Sequence, residues 1–224
     1  MNESFPVIGV LGGTGHEGYG LALRWAKAGY KVIIGSRDET KAWTAANQIN
    51  TVLSPPKPAV GASNKTAATD CGIAVLAVPS QAQIKVADEV QNELIGKILI
   101  DVTVPLVPPK VLRVQLPESG SAVAALQSFL GDQIHVVSAF QNIAANHLAD
   151  LSKEIDCDVL VCGNKKSARE EVIKLANAAG MRAWHAGPIE NSAAAEAMTS
   201  ILLFINRNYE IDGSGLRITG DKTL

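Results

Sequence analysis

Short apolar runs alternate along this chain with longer stretches whose apolar residues return every three to four positions. Val7 to Leu11, Val32 to Ile34, Ile73 to Val78, Ile98 to Val104 and His135 to Phe140 are the runs. Apolar at nearly every position, they predict strands buried on both faces. Between them, Leu21, Ala22, Trp25 and Ala26 recur on one helical face, and residues 38–50, 81–94 and 121–130 carry further helical patterns. Pro79 and Pro105 end two of the runs, because proline has no N–H to give to a ladder. Pro55-Pro56-Lys57-Pro58 reads as a loop, and Pro105 to Pro109 as a rim over a site. Strands alternating with helices predict an α/β fold, a Rossmann-type doubly wound and mainly parallel sheet.

The rhythm changes in the C-terminal third. Asp158 to Cys162, residues 166–179 and Met181 to Ala186 make a smaller strand–helix–strand unit. A long apolar helix from Ser192 to Arg207 follows, with almost no polar stripe. The expected organisation is a dinucleotide-binding domain over residues 1–145 and a smaller C-terminal α/β extension over 146–224. A helix apolar on most sides must be covered by the sheet, by a second subunit or by both, and a homodimer is expected.

The turn after the first strand carries chemistry. Gly12-Gly13-Thr14-Gly15-His16-Glu17-Gly18 contains the spacing Gly13-x-Gly15-x-x-Gly18, placed between a strand and a helix. Three glycines do three things there: one turns the chain sharply, one removes the Cβ that would hold a diphosphate away, and one lets helix and strand pack closely. N–H groups at the helix start then face an anion, with the helix dipole behind them. An empty glycine turn is the alternative, but the strand before it, the helix after it and a unit of about 30 residues are the context a dinucleotide site requires. Glu17 is out of place beside a pyrophosphate, so its side chain is expected to point outward while its N–H serves the site.

The second strand ends in Gly35-Ser36-Arg37. An NAD site places a carboxylate there for the ribose 2′-hydroxyl. Arg37 instead offers a planar fork to a 2′-phosphate, Ser36 adds a hydroxyl, and Lys41 brings a second positive charge. The cofactor read from this pattern is NADP(H). Two other possibilities stay open: Arg37 and Lys41 as solvated residues beside a helix capped by Asp38, or Asp38 as a displaced ribose acceptor.

The chain of 224 residues carries a net charge of −2, with no basic stripe, which argues against nucleic acid. Its length suffices for a core that needs neither disulfide nor metal. Cys71, Cys157 and Cys162 are odd in number and lack CxxC spacing, as expected of reduced thiols in the cytoplasm. The N-terminal apolar stretch is broken by glycine after five residues, unlike a signal peptide, and no run is long enough to span a membrane. Tyr19, Tyr30 and Tyr209 are followed four residues on by Leu23, Ile34 and Gly213, so the Tyr–Lys pair of short-chain dehydrogenases is missing. The four histidines, His16, His135, His147 and His185, lack zinc spacing.

Taken in order, several blocks resemble the NADPH-dependent reductases of coenzyme F420, an 8-hydroxy-5-deazaflavin. Gly12 to Gly15, Gly20-Leu21-Ala22-Leu23-Arg24 and Gly35-Ser36-Arg37 with Lys41 look like that family's N-terminal part. Ile73 to Leu76, Val136 to Ala139, Val161-Cys162-Gly163 and Ala186 to Ser192 match later blocks, so the resemblance covers nearly the whole chain. It implies that Thr14, Ser36, Arg37 and Lys41 hold NADP, with Val78 and Pro79 beneath the nicotinamide. After Ser138-Ala139 the family reads x-H-T-I-P, whereas this chain reads Phe140-Gln141-Asn142-Ile143-Ala144. That segment is implied to floor the deazaflavin pocket, with Thr199 near the ring.

The site expected for NADP(H) is therefore Gly13, Thr14, Gly15, His16, Glu17, Gly18, Ser36, Arg37, Lys41, Val78 and Pro79. The acceptor pocket is expected at Gln141, Asn142, Ile143 and Thr199. Hydride transfer between nicotinamide C4 and deazaflavin C5 needs two rings stacked in a dry cleft rather than a catalytic triad. Two other functions fit the same dinucleotide half: reduction of a flavin, ferric chelate or imine by NADPH, and a redox sensor that binds NADP(H) without turnover.

Overall fold

A computed structural model describes residues 5–55 and 58–220. Pro56 and Lys57 of the expected proline loop lie outside the described residues. Six strands, β1 (Ile8–Leu11), β2 (Val32–Ser36), β3 (Ala59–Ser63), β4 (Ile73–Leu76), β5 (Ile98–Asp101) and β6 (His135–Ser138), run parallel. β7 (Val159–Gly163) joins β6 antiparallel and β8 (Ala183–Gly187) pairs with β7, completing one sheet in the order β3-β2-β1-β4-β5-β6-β7-β8. The first six positions of that order are those of the doubly wound dinucleotide fold. The C-terminal strands thus extend the same sheet, and the expected boundary near residue 145 falls between β6 and β7.

Strand residues alternate between two apolar layers because successive side chains leave a strand on opposite faces. Ile8, Val10, Val32, Ile34, Val75 and Val137 enter one layer, under the helices α1 (His16–Lys27), α2 (Glu39–Leu53), the short α6 (Ala145–Leu148) and α7 (Lys166–Ala178). Leu11, Ile33, Leu76, Leu99 and Val136 enter the other, under α3 (Asn64–Asp70), α4 (Gln83–Leu94) and α5 (Ala122–Leu130). The helical face read from Leu21, Ala22, Trp25 and Ala26 is buried as expected.

Several elements differ from expectation. β3 and α3 were not foreseen: Ala-Val-Gly-Ala-Ser and Asn-Lys-Thr-Ala-Ala-Thr-Asp are small, weakly apolar segments with too little periodic contrast. β4 and β5 stop at Leu76 and Asp101, short of the expected Val78 and Val104. Residues 77–79 and 102–104 run on past the strand ends and line a cavity. The long helix is α8 (Ser192–Tyr209), and it is not covered on most sides. Ala195 and Leu202 are buried, whereas Ile201 and Phe204 are 43% and 52% exposed. Its innermost anchor is polar: Glu196 is buried and accepts hydrogen bonds from Ser121 Oγ at 2.6 Å and from the Ala122 and Val123 N–H groups at 2.8 and 3.2 Å. A carboxylate from α8 therefore caps the first turn of α5, where the helix dipole favours negative charge.

A candidate dinucleotide and acceptor cleft

The carboxyl ends of β1, β2, β4, β5 and β6 converge on one crevice, at the switch point between β1 and β4. Two cavities lie there. The smaller, about 210 Å³, is lined by Gly12, Thr14, Ser36, Arg37 and Asn64. The larger, about 660 Å³, is lined among others by His16, Glu17, Thr103, Gln141, Ile143 and Thr199. Gly15, Ala77, Val78 and Pro79 border both, so the two form a continuous path over the glycine turn.

The turn is built as its glycines require. Gly12 has φ +76°, and a Cβ there would lie 2.6 Å from the Ala77 carbonyl oxygen. Its N–H donates to Asn64 Oδ1 at 3.2 Å, so the unforeseen helix α3 pins the turn. Gly15 differs: a Cβ would meet nothing closer than Gly12 O at 3.7 Å. The space in front of Gly15 is open, and no side chain caps α1. An uncapped helix start facing open space is a cradle for a diphosphate. Gly13 and Gly18 are buried behind it, while Thr14, Gly15 and His16 are exposed on its lip.

At the end of β2, Ser36 and Arg37 line the smaller cavity together with Thr14. Asp38 does not. Its carboxylate accepts from the Lys41 N–H at 3.2 Å as the cap of α2, so it faces its own helix and is not placed as a ribose acceptor. Lys41 is exposed one turn into α2 and borders neither cavity, so the structure does not bring it into the immediate lining with Arg37.

The larger cavity is organised by the strained end of β6. Phe140 is fully buried with φ +74°, a left-handed conformation that a bulky side chain rarely adopts. Its ring packs edge-on against Trp25 at 5.9 Å. The turn that follows closes with the Ile143 N–H donating to Phe140 O at 2.9 Å and aims Gln141 into the cleft. Gln141 Nε2 donates to Asp101 O at 2.7 Å, and Thr199 Oγ1 donates to Gln141 O at 2.7 Å. A backbone carbonyl only accepts, so the amide nitrogen must face Asp101. Gln141 Oε1 is buried with no hydrogen-bond partner among the described residues. Such a group costs about 1–3 kcal/mol until something donates to it.

Asn142 takes a different direction from the one expected. Its Nδ2 donates to Asp158 O at 2.8 Å and contacts Cys157 Sγ at 3.2 Å, so it ties the turn to the start of β7 and does not line the cavity. Glu17 departs from expectation too, pointing into the larger cavity instead of outward. A helix residue at the second position projects back over the turn before it, which here is the crevice itself. Burial, then the nearby Asp101, pushes the Glu17 carboxyl up to about 8. Asp101 is fully buried, accepting from the Thr103 N–H at 2.9 Å and from Gln83 Nε2, and burial raises it to about 6.

Sequence reasoning missed Asn64, Asp101, Thr103, Gln83 and Asp212. Asp101 ends an apolar run in Ile-Leu-Ile-Asp, and a lone acid at the carboxyl end of a parallel strand was an available signal. Asp212 enters the cavity from beyond α8, held by Asn146 Nδ2 at 2.9 Å and Lys153 Nζ at 3.2 Å.

Residues 7–105 match the family described as NADP oxidoreductase, coenzyme F420-dependent. The chain is 40% identical over 219 residues to the F420-dependent NADP reductase of Methanocaldococcus jannaschii, spanning 95% of this chain and 97% of that one. It belongs to the F420-dependent NADP reductase family. The reductase of the same name from Methanothermobacter marburgensis is also 40% identical, over 218 residues, with 95% and 97% covered. The fold agrees with that of a candidate F420-dependent NADP reductase from Arthrobacter sp. FB24, at TM-score 0.78 and 23% identity over 96% of this chain and 100% of that chain. Gln141 and Glu17 both stand on the wall of the larger cavity.

Proposed function

We infer that the protein is an oxidoreductase that passes a hydride between NADP(H) and the deazaflavin coenzyme F420. The reading is carried by the full-length identity to two reductases of that name. It is supported by a cleft with a separate place for each end of the reaction. The smaller cavity suits the adenosine end, with Arg37 and Ser36 at the 2′-phosphate and Thr14 beside them. The turn at Gly13, Gly15 and Gly18 suits the diphosphate, its N–H donors supplemented by those of His16 and Glu17. The larger cavity, at about 660 Å³, has room for a nicotinamide over Val78 and Pro79 and for a planar tricyclic ring against Gln141, Ile143 and Thr199. Bound NADPH supplies the hydride. What the chain contributes is stacking geometry, exclusion of water by Val78, Val102, Val104, Leu106 and Ile143, and a hydrogen-bond acceptor at Gln141 Oε1 for a ring N–H or carboxamide. Flavin, ferric chelate or imine as acceptor, and a sensor without turnover, are not favoured beside full-length relatives named for F420.

The test is to mix NADPH, F420 and enzyme and follow loss of the deazaflavin absorbance. Turnover is expected. Arg37→Ala is expected to weaken NADPH by roughly 10- to 150-fold, the worth of a charge-assisted bond, while NADH is nearly unaffected. Tight NADPH binding without F420 binding or turnover sinks the acceptor; equal loss for both nucleotides removes Arg37 from the 2′-phosphate.

No described helix is long and apolar enough to cross a membrane. A reduced, cytoplasmic setting is supported by three buried thiols with no disulfide among the described residues. A homodimer is supported by the exposed strip of Ile201, Phe204, Tyr209 and Ile211, 43–67% accessible at the end of α8. Light scattering is expected to give about twice the 23.5 kDa chain mass, and a monomer at every concentration excludes it.

A further inference from the structure

The larger cavity is poor in cations and rich in carboxylates. Two acids line it, Glu17 from α1 and Asp212 from the segment beyond α8, and no Lys or Arg is among its lining residues. Asp101 of β5 stands behind Glu17, and Glu196 of α8 acts on Asp101 in turn. His16, on the same helix, is the remaining titratable group on the wall. Asp212 is committed as an anion, its carboxyl held down to about 2 by His147, Lys153 and Asn146. Asp101 is committed to Thr103 and Gln83. Glu17 alone of the three has no hydrogen bond or ion pair among the described residues, although it is half-buried and faces the cleft.

A hydride leaving NADPH turns a neutral dihydropyridine into a cationic nicotinamide ring. In this cleft no Arg or Lys opposes that charge, and the one uncommitted group that can answer it is Glu17. Resting on the NADP(H) reading above, we propose that Glu17 is a proton-coupled counter-ion of the nicotinamide: a neutral carboxylic acid while NADPH is bound and a carboxylate once the ring is oxidised. The balance closes. The C4–H bond of NADPH breaks and a C–H bond forms at C5 of the deazaflavin, whose ring receives the electron pair. The O–H bond of Glu17 breaks, and its proton neutralises the reduced deazaflavin directly or through solvent. When NADP⁺ leaves, Glu17 takes a proton back from water. In the reverse direction the same residue favours NADP⁺ binding and accepts the proton.

Desolvation and Asp101 raise the Glu17 carboxyl to about 8, which keeps it protonated at neutral pH in the empty site. Binding that requires the carboxylate then strengthens with pH up to that value, and binding that tolerates the acid does not. The experiment is equilibrium titration of the native enzyme with NADP⁺ and with NADPH separately, between about pH 6 and pH 9. The 2′-phosphate is common to both nucleotides, so the ratio of the two dissociation constants isolates the ring charge. Affinity for NADP⁺ relative to NADPH is expected to rise by up to about tenfold per pH unit and level off near pH 8, with proton release on NADP⁺ binding in weakly buffered solution. In Glu17→Gln the ratio is expected to be flat and the proton release lost. Proton release is read on the native chain, so a poorly folded variant does not decide the matter. A ratio independent of pH in the native enzyme, with both nucleotides bound, overturns the role of Glu17 and leaves the dinucleotide site standing. Failure of both nucleotides to bind removes the site and the counter-ion together.

Discussion

Arg24→Ala is expected to cost about 3–5 kcal/mol of stability and to lower the melting temperature by about 10 °C. Arg24 is 8% exposed on the inner face of α1, an unusual place for a guanidinium. Burial lowers its pKa, the Asp150 carboxylate acts the other way, and no carboxylate among the described residues forms an ion pair with it. Its charge is instead spread over backbone carbonyls. Nε donates to Leu148 O at 2.8 Å, Nη1 to Ala179 O at 3.3 Å, and Nη2 to the carbonyls of His147, Asp150 and Lys153 at 3.0–3.2 Å. The planar fork of donors lets one side chain hold residues 147–153, which have little regular structure, and the end of α7. Alanine leaves several of those carbonyls with no donor in a dry place. Arg24→Lys is expected to recover only part, because an ammonium cannot reach all five at once. Thermal denaturation reads the effect, and a shift under 2 °C for Arg24→Ala rejects it.

Gly15→Val is expected to leave the fold intact and weaken NADPH by at least about 100-fold. The backbone of Gly15 is extended, at φ −78° and ψ 162°, which valine adopts readily. A Cβ at this position meets nothing closer than Gly12 O at 3.7 Å in the free protein. It does fill the space before the first turn of α1 where the diphosphate has to approach the N–H groups. The opposite behaviour is expected at Gly12, where positive φ and the Ala77 carbonyl at 2.6 Å make any side chain a folding problem. A folded Gly15→Val variant with unchanged NADPH affinity, read by fluorescence titration beside circular dichroism, moves the dinucleotide away from the turn.

Much of this protein is local in origin, and that part was legible in the chain. Val7 to Leu11, the glycine turn and the face of Leu21, Ala22, Trp25 and Ala26 form a strand–turn–helix unit from neighbouring residues, as the structure shows. The apolar runs predicted a parallel sheet because only strands covered on both faces can be apolar at consecutive positions. Ser36 and Arg37 were expected beside the glycine turn, and they line one cavity with it because the end of β2 is tied to β1 by their pairing. What pattern did not convey is the direction of single side chains that meet only in the folded state. Asn142 and Gln141 are adjacent, yet a left-handed Phe140 sends one into the cleft and the other to Asp158. Asp38 is a cap rather than a ribose acceptor, a choice made within one turn of helix that periodicity does not resolve. Glu17 was expected outside because a carboxylate repels a diphosphate. It turns inward because α1 starts at the crevice, where burial and Asp101 keep it protonated and the repulsion is removed. Residues 7–37 build the first strand, the glycine turn, the helix and the Ser36–Arg37 strand end within one short stretch of chain, and that part was legible. The larger cavity is assembled from the ends of β5 and β6, from α8 and from the segment after it, more than 100 residues apart from end to end, so only tertiary packing decided which of their polar groups face it.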